Sequence, residues 1–169
     1  MERMSDIMRK CAIIFSMVFC GIFLLHGGDL RFDEKLSGWT RNKKDDAALD
    51  GDFSGEPAVR LKDGARLIRV FELEPDAVYE LSFHVKGQDI PSGKNDGARI
   101  MVNGGKIWQR FTSDAKNRQP ETGTFDWKEG RGRIDTARTG TKVKIYLAAG
   151  SAGTVWYGGL KLVKKSAGK

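Results

Sequence analysis

The residues able to do chemistry in this chain are few. Histidine occurs only at His26 and His84, and cysteine only at Cys11 and Cys20. Three of these four fall in an N-terminal segment with the character of a leader, which leaves His84 alone. A zinc site draws on several nitrogen and sulfur donors, and that set is missing. A Ser-His-Asp relay needs a serine beside the histidine. Ser82 shares a strand face with His84, but no motif marks it as a nucleophile. Glycoside cleavage needs two carboxylates at a defined separation. Glu80 with Glu129 or Asp126 would supply two, yet solvent-side strand carboxylates give the same pattern. The sequence points away from catalysis.

Binding asks for less. A sugar presents apolar C–H faces, on which aromatic rings stack, and a rim of hydroxyls, which planar polar side chains match. The informative aromatics are those off the core face. In TKVKIYL (141–147), Val143, Ile145 and Leu147 take one side, so Tyr146 emerges among the lysines. In VYELSFHVK (78–86), Tyr79, Leu81, Phe83 and Val85 take one side, and His84 emerges on the other. If both strands belong to one sheet, Tyr146 and His84 share its outer face. Trp108 sits in a polar hairpin arm beside Gln109 and Arg110, and Arg99 and Asn103 share a face of the preceding strand. The same residues also have packing roles open to them: Trp108 as a plug at one end of the fold, Tyr146 as cover for a loop.

The elements that position these residues are strands. Apolar alternation with period two marks runs at 58–61, 66–73, 78–86, 98–103, 106–112, 123–134, 142–147 and 155–163. Asp-Gly at 63–64 and Asn-Gly at 103–104 are hairpin signals, and Gly150 to Gly153 form a turn. Residues 41–55 read as polar loop with one weak strand, and Phe32 and Trp39 as core anchors. No periodic segment is long enough for a crossover helix, so a βαβ plan is excluded. The expected fold is all-β: an antiparallel two-sheet β-sandwich with jelly-roll topology, in one domain spanning 29–163.

Several segments, in order, resemble a family. A short Phe-acidic opening leads to Gly38-Trp39. YELSFHVKG follows a Pro-Asp turn in the middle, and TGTFDW, TKVKIYL and GTVWY close the chain. This series is similar to carbohydrate-binding modules of the β-jelly-roll, galactose-binding-like type, and covers about 30–163. The resemblance implies a non-catalytic module that binds poly- or oligosaccharide through an open groove on one sheet. Tyr146 and His84 would line that groove, with Trp108 at its rim and Arg99, Asn103 and Gln109 nearby; Trp127 and Trp156 would be packing residues. It also implies a structural calcium. Such modules often carry acidic residues after the last-strand aromatic, whereas here Gly158-Gly159 follow Tyr157. Asp29, Asp33 and Glu34 are then the remaining oxygen donors, and no cofactor is expected with certainty. The other reading keeps the sandwich as a structural or protein-interaction domain without sugar binding.

Residues 1–28 stand apart. Arg3, Arg9 and Lys10 precede an apolar run at 11–25, and His26-Gly27-Gly28 follow, the pattern of a secretory signal peptide. The run is short for a membrane span, which takes about 20 residues. Cleavage near Asp29 would leave a cysteine-free chain with no disulfide chemistry, secreted or periplasmic and bacterial in style, with no membrane attachment. The net charge of +7 comes from 29 basic and 22 acidic residues in a chain of 169. Both signs are scattered along alternating strands, which argues against nucleic acid as a partner. A separate glycan-degrading enzyme is the expected associate, and 164–169 read as a basic flexible tail.

Overall fold

The computed structural model describes residues 28–33, 35–43, 45–93, 96–105, 107–114 and 119–165. The expected signal peptide lies outside the described residues except for Gly28, and so do Glu34 and the tail beyond Lys165. Eleven strands and one short helix follow in order. They are β1 (Gly28–Asp29), β2 (Thr40–Arg41), β3 (Ala47–Phe53), β4 (Glu56–Lys62), β5 (Arg66–Glu72), β6 (Val78–Ile90), β7 (Arg99–Gly104), β8 (Ile107–Phe111), β9 (Gly123–Asp135), α1 (Thr136–Thr139), β10 (Lys142–Ala148) and β11 (Thr154–Lys165). The weak strand expected within 41–55 is β3, a full edge strand.

Two antiparallel sheets result. One runs β3-β4-β11-β6-β9, with β1 paired to β11; the other runs β2-β5-β10-β7-β8. The eight strands from β4 to β11 therefore follow the jelly-roll order, β4-β11-β6-β9 over β5-β10-β7-β8. The chain changes sheet at nearly every turn, so strands adjacent in sequence pack face to face.

The apolar halves of the alternating strands meet between the sheets. Tyr79, Leu81, Phe83 and Val85 from β6 face Ile100 and Val102 from β7 and Val143, Ile145 and Leu147 from β10, all essentially inaccessible to water. Phe32 and Trp39 are buried with their rings 5.7 Å apart, as the sequence implies for core anchors. Tyr157 crosses the core from β11. Its hydroxyl lies 2.7 Å from the Ala148 carbonyl and 2.9 Å from the Arg99 carbonyl, both on the other sheet. Burial pushes its pKa far above the usual tyrosine value.

Three local devices shape the surface. Asp135 caps α1 by accepting from the Ala137 N–H, and Gly140 ends the helix with φ 77°. Phe111 from β8 lies so close to Gly132 of β9 that a Cβ there would come within 2.2 Å of its ring. A bulge in β11 between Gly158 and Lys161 carries Gly159 at φ 57°. The ladder then continues through Lys164 and Lys165, two residues past the expected domain end. Lys164 pairs with Glu74, and Lys165 pairs with Glu80 at 3.0 Å.

Candidate functional site

β10 has Val143, Ile145 and Leu147 in the core, so its even positions face outward. Tyr146 stands opposite Ile68 of β5 and Met101 of β7, and Lys144 stands opposite Asn103, which in turn faces Trp108 of β8. Trp108 thus lies one row over and two strands away from Tyr146. The two rings meet with centroids 5.4 Å apart and planes at 36°. Trp108 is 60% exposed, the most exposed of the large apolar side chains described, while Tyr146 is half-buried beneath it. The pair forms an open aromatic surface on the outer face of the second sheet. Met101 and Arg110 line a pocket of about 370 Å³ beside Trp108.

His84 is not part of this surface. It lies on β6, in the other sheet, so the expectation that Tyr146 and His84 share one face is corrected. Nor is His84 open. Phe53 from β3 stacks on its ring at 3.9 Å and 23°, and Trp127 of β9 meets Phe53 edge-on at 5.0 Å. Gly158 and Gly159 make room for this lid: a Cβ at position 158 would fall 2.7 Å from the Cβ of Phe53. Gly158 and Gly159 thus serve aromatic packing. Burial lowers the pKa of His84. Glu129 across the ladder opposes the shift, whereas Lys161 and Arg131 add to it. Its Nδ1 is shut off from water and unpartnered in the structure.

The remaining candidates divide. Asn103 sits in the row between Lys144 and Trp108, on the aromatic face. Arg99 has the same parity but is 7% exposed. Its guanidinium donates to the carbonyls of Asp96 and Gly97 at 3.1 and 3.0 Å, so it braces the loop before β7 and does not present itself to a ligand. Burial lowers its pKa. Gln109 has the opposite parity to Trp108. It lines the space between the sheets' edges, and its Oε1 is enclosed without a partner. Trp127 and Trp156, expected as packing residues, are half-exposed on the outer face of the first sheet, Trp156 against Gly51. Met101, Lys144 and Phe53 were not legible as site residues; Phe53 lies in the stretch read as polar loop.

Of the three donors expected for calcium, Glu34 and the side chain of Asp29 lie outside what the structure describes, and Asp33 is engaged elsewhere. Asp33 Oδ1 accepts from the Lys35 and Ser37 N–H groups at 3.1 and 2.7 Å, which closes a turn and holds its carboxyl below the usual carboxylate range. Among the described residues no three His, Cys, Asp or Glu side chains converge on a point.

No protein-family model matches the sequence, and no curated protein matches it. Solved structures do match in fold. A family 61 carbohydrate-binding module in complex with β-1,4-galactotriose superposes with a TM-score of 0.50 and 18% identity, over 80% of this chain and 91% of that one. A xylan-binding domain from Paenibacillus barcinonensis does so with 0.53 and 13%, over 78% and 88%. A cleaved adhesin domain of Lys-gingipain from Porphyromonas gingivalis does so with 0.50 and 13%, over 84% and 99%. The chain has the β-sandwich fold of carbohydrate-binding modules.

Proposed function

We propose that this chain is a non-catalytic carbohydrate-binding module whose platform is the Trp108–Tyr146 face. The observation that carries the reading is the exposure of Trp108. A ring that large and that open would ordinarily be buried, and Tyr146 holds it in place from below. A supported, half-open ring pair suits the apolar face of a pyranose. Asn103 and Lys144 in the adjacent row supply donors and an acceptor for its hydroxyls. Support from the fold is general: similar structures include a module holding a galactotriose and a xylan-binding domain. In this reading the leader directs export. The module acts outside the cytoplasm, beside a separate glycan-degrading enzyme. Among the described residues no helix is long and apolar enough to cross a membrane.

Retention on insoluble polysaccharides, followed by a glycan array, tests the platform. Trp108→Ala should weaken binding by about 1 kcal/mol or more, roughly fivefold. Its effect on stability should stay within about 0.5 kcal/mol, because the ring is mostly in water. Unchanged retention would refute the platform. The second reading, a protein-interaction domain, draws on the likeness in fold to an adhesin domain and on the Phe53–His84–Trp127 cluster of the other sheet. It would be favoured if no glycan bound and if alanine at Phe53 abolished a protein contact.

A further inference from the structure

β8 and β9 are the free edges of the two sheets on the same side of the sandwich, and a cleft of about 700 Å³ opens between them. Its lining is strongly one-signed. Arg110 comes from β8, Arg131 and Arg133 from β9 and Arg138 from α1, against the single carboxylate of Asp135, which is engaged in capping α1. Arg131 pairs with Glu129 at 2.8 Å. Among the described residues, Arg110, Arg133 and Arg138 have no ion pair. Edge strands often carry charge simply to prevent pairing with another sheet. The opposite edge of the first sheet, β3, does this with Asp50 and Asp52, so positive charge is not a general property of the edges. Here four exposed guanidinium groups line one cavity, and their summed charge makes a positive potential that would draw in an anion. A guanidinium keeps its charge at all working pH values and matches a carboxylate or sulfate with two parallel hydrogen bonds. Trp108 belongs to the cleft as well as to the aromatic face.

Resting on the carbohydrate reading, we propose that this cleft receives the anionic substituent of an acidic polysaccharide, a carboxylate or a sulfate ester, while Trp108 stacks on the sugar that bears it. The arginines then select charge, and the ring supplies affinity for glycans in general.

Affinity electrophoresis and calorimetry with four probes test this: polygalacturonate, its carboxyl-reduced neutral form, dextran sulfate and single-stranded DNA. The wild-type protein should prefer an acidic glycan over the neutral one by about tenfold or more, as expected when charge-assisted hydrogen bonds replace neutral ones. Polygalacturonate and dextran sulfate show which anion fits. In the double variant R133A/R138A, the ratio of acidic to neutral affinity should fall about tenfold, whereas Trp108→Ala should weaken both. An unaltered ratio in R133A/R138A overturns the cleft assignment and leaves the platform standing. If Trp108→Ala changes no glycan's affinity, the platform fails and the proposal with it, and if the wild-type protein binds none of the glycans, the carbohydrate reading itself fails. DNA bound as tightly as the acidic glycans, with the same salt dependence, would show indifferent cation exchange and would also overturn the proposal.

Discussion

At the scale of single residues, the structure separates two aromatic groups that look alike in the sequence. Trp108 is held open by Tyr146, whereas His84 is held closed by Phe53. The closed histidine carries a pH signature. Its folded-state pKa is lowered, first by burial under Phe53, so the unfolded chain takes up the proton before the folded one does. Glu129 faces the ring across the ladder, and Lys161 and Arg131 flank it. Stability from this group is fully present above about pH 6.5 and is lost as the pH falls below that value. Urea midpoints for the wild type should therefore decline more steeply between pH 7.5 and 5.5 than those for His84→Phe, which keeps the ring stack and cannot titrate. Parallel curves would mean that the imidazole is freely hydrated and that the Phe53 lid opens in solution. On the other face, Tyr146→Ala removes the support under Trp108. It should weaken polysaccharide retention roughly fivefold or more, even though the tryptophan itself is untouched.

At the scale of elements, the alternation in β6 and β10 tells which residues point inward but not into which sheet each strand goes. Period two has that limit: every core-facing strand of a sandwich reads alike, whichever layer it occupies. The sheet is decided by counting strands along the jelly roll. The count begins at β4, behind three short or irregular strands that the sequence barely marks. For this reason Tyr79, Phe83, Val143 and Ile145 were legible as core while the pairing of Tyr146 with His84 was not. Trp108 was legible as a candidate by its polar setting, but its contact with Tyr146 depends on β7 lying between β8 and β10. Three of the four arginines of the edge cleft, Arg131, Arg133 and Arg138, lie within eight residues on β9 and α1, but no local pattern joins them to Arg110 of β8, which the jelly roll brings to the same edge. Between the layers, Tyr157 is a polar tie inside an apolar core. Tyr157→Phe preserves the ring and deletes the hydroxyl that reaches the Ala148 and Arg99 carbonyls. It should destabilise the fold by about 1–3 kcal/mol, with the denaturant slope unchanged. A neutral substitution would show that the two carbonyls are satisfied without it.

At the scale of the whole molecule, the question is what holds a cysteine-free sandwich together. The apolar layer between the sheets runs from Phe32 and Trp39 at one end to Ile134 and Leu162, without a break in burial. A domain of this size can stand on such a core alone. A bound calcium ion would be another source of cohesion, and one of the donors expected for it is diverted. Asp33 is bound to the backbone of its own turn, and Gly158-Gly159 accommodate Phe53. Ligand binding stabilises by mass action: at a thousandfold excess over its dissociation constant, a tight ion contributes about 4 kcal/mol, which in a domain of this size is a melting shift of roughly 10 °C. We expect a shift below about 2 °C when purified protein is melted in excess chelator and then in millimolar calcium, because only non-specific screening by the ion is left to act. The full chain is the right sample, since it includes Asp29 and Glu34. A large drop on chelation would mean that these N-terminal carboxylates complete a site without Asp33. It would also mean that β1, which pairs with β11 through Gly28 and Asp29, is fastened to the sandwich by metal as well as by its ladder.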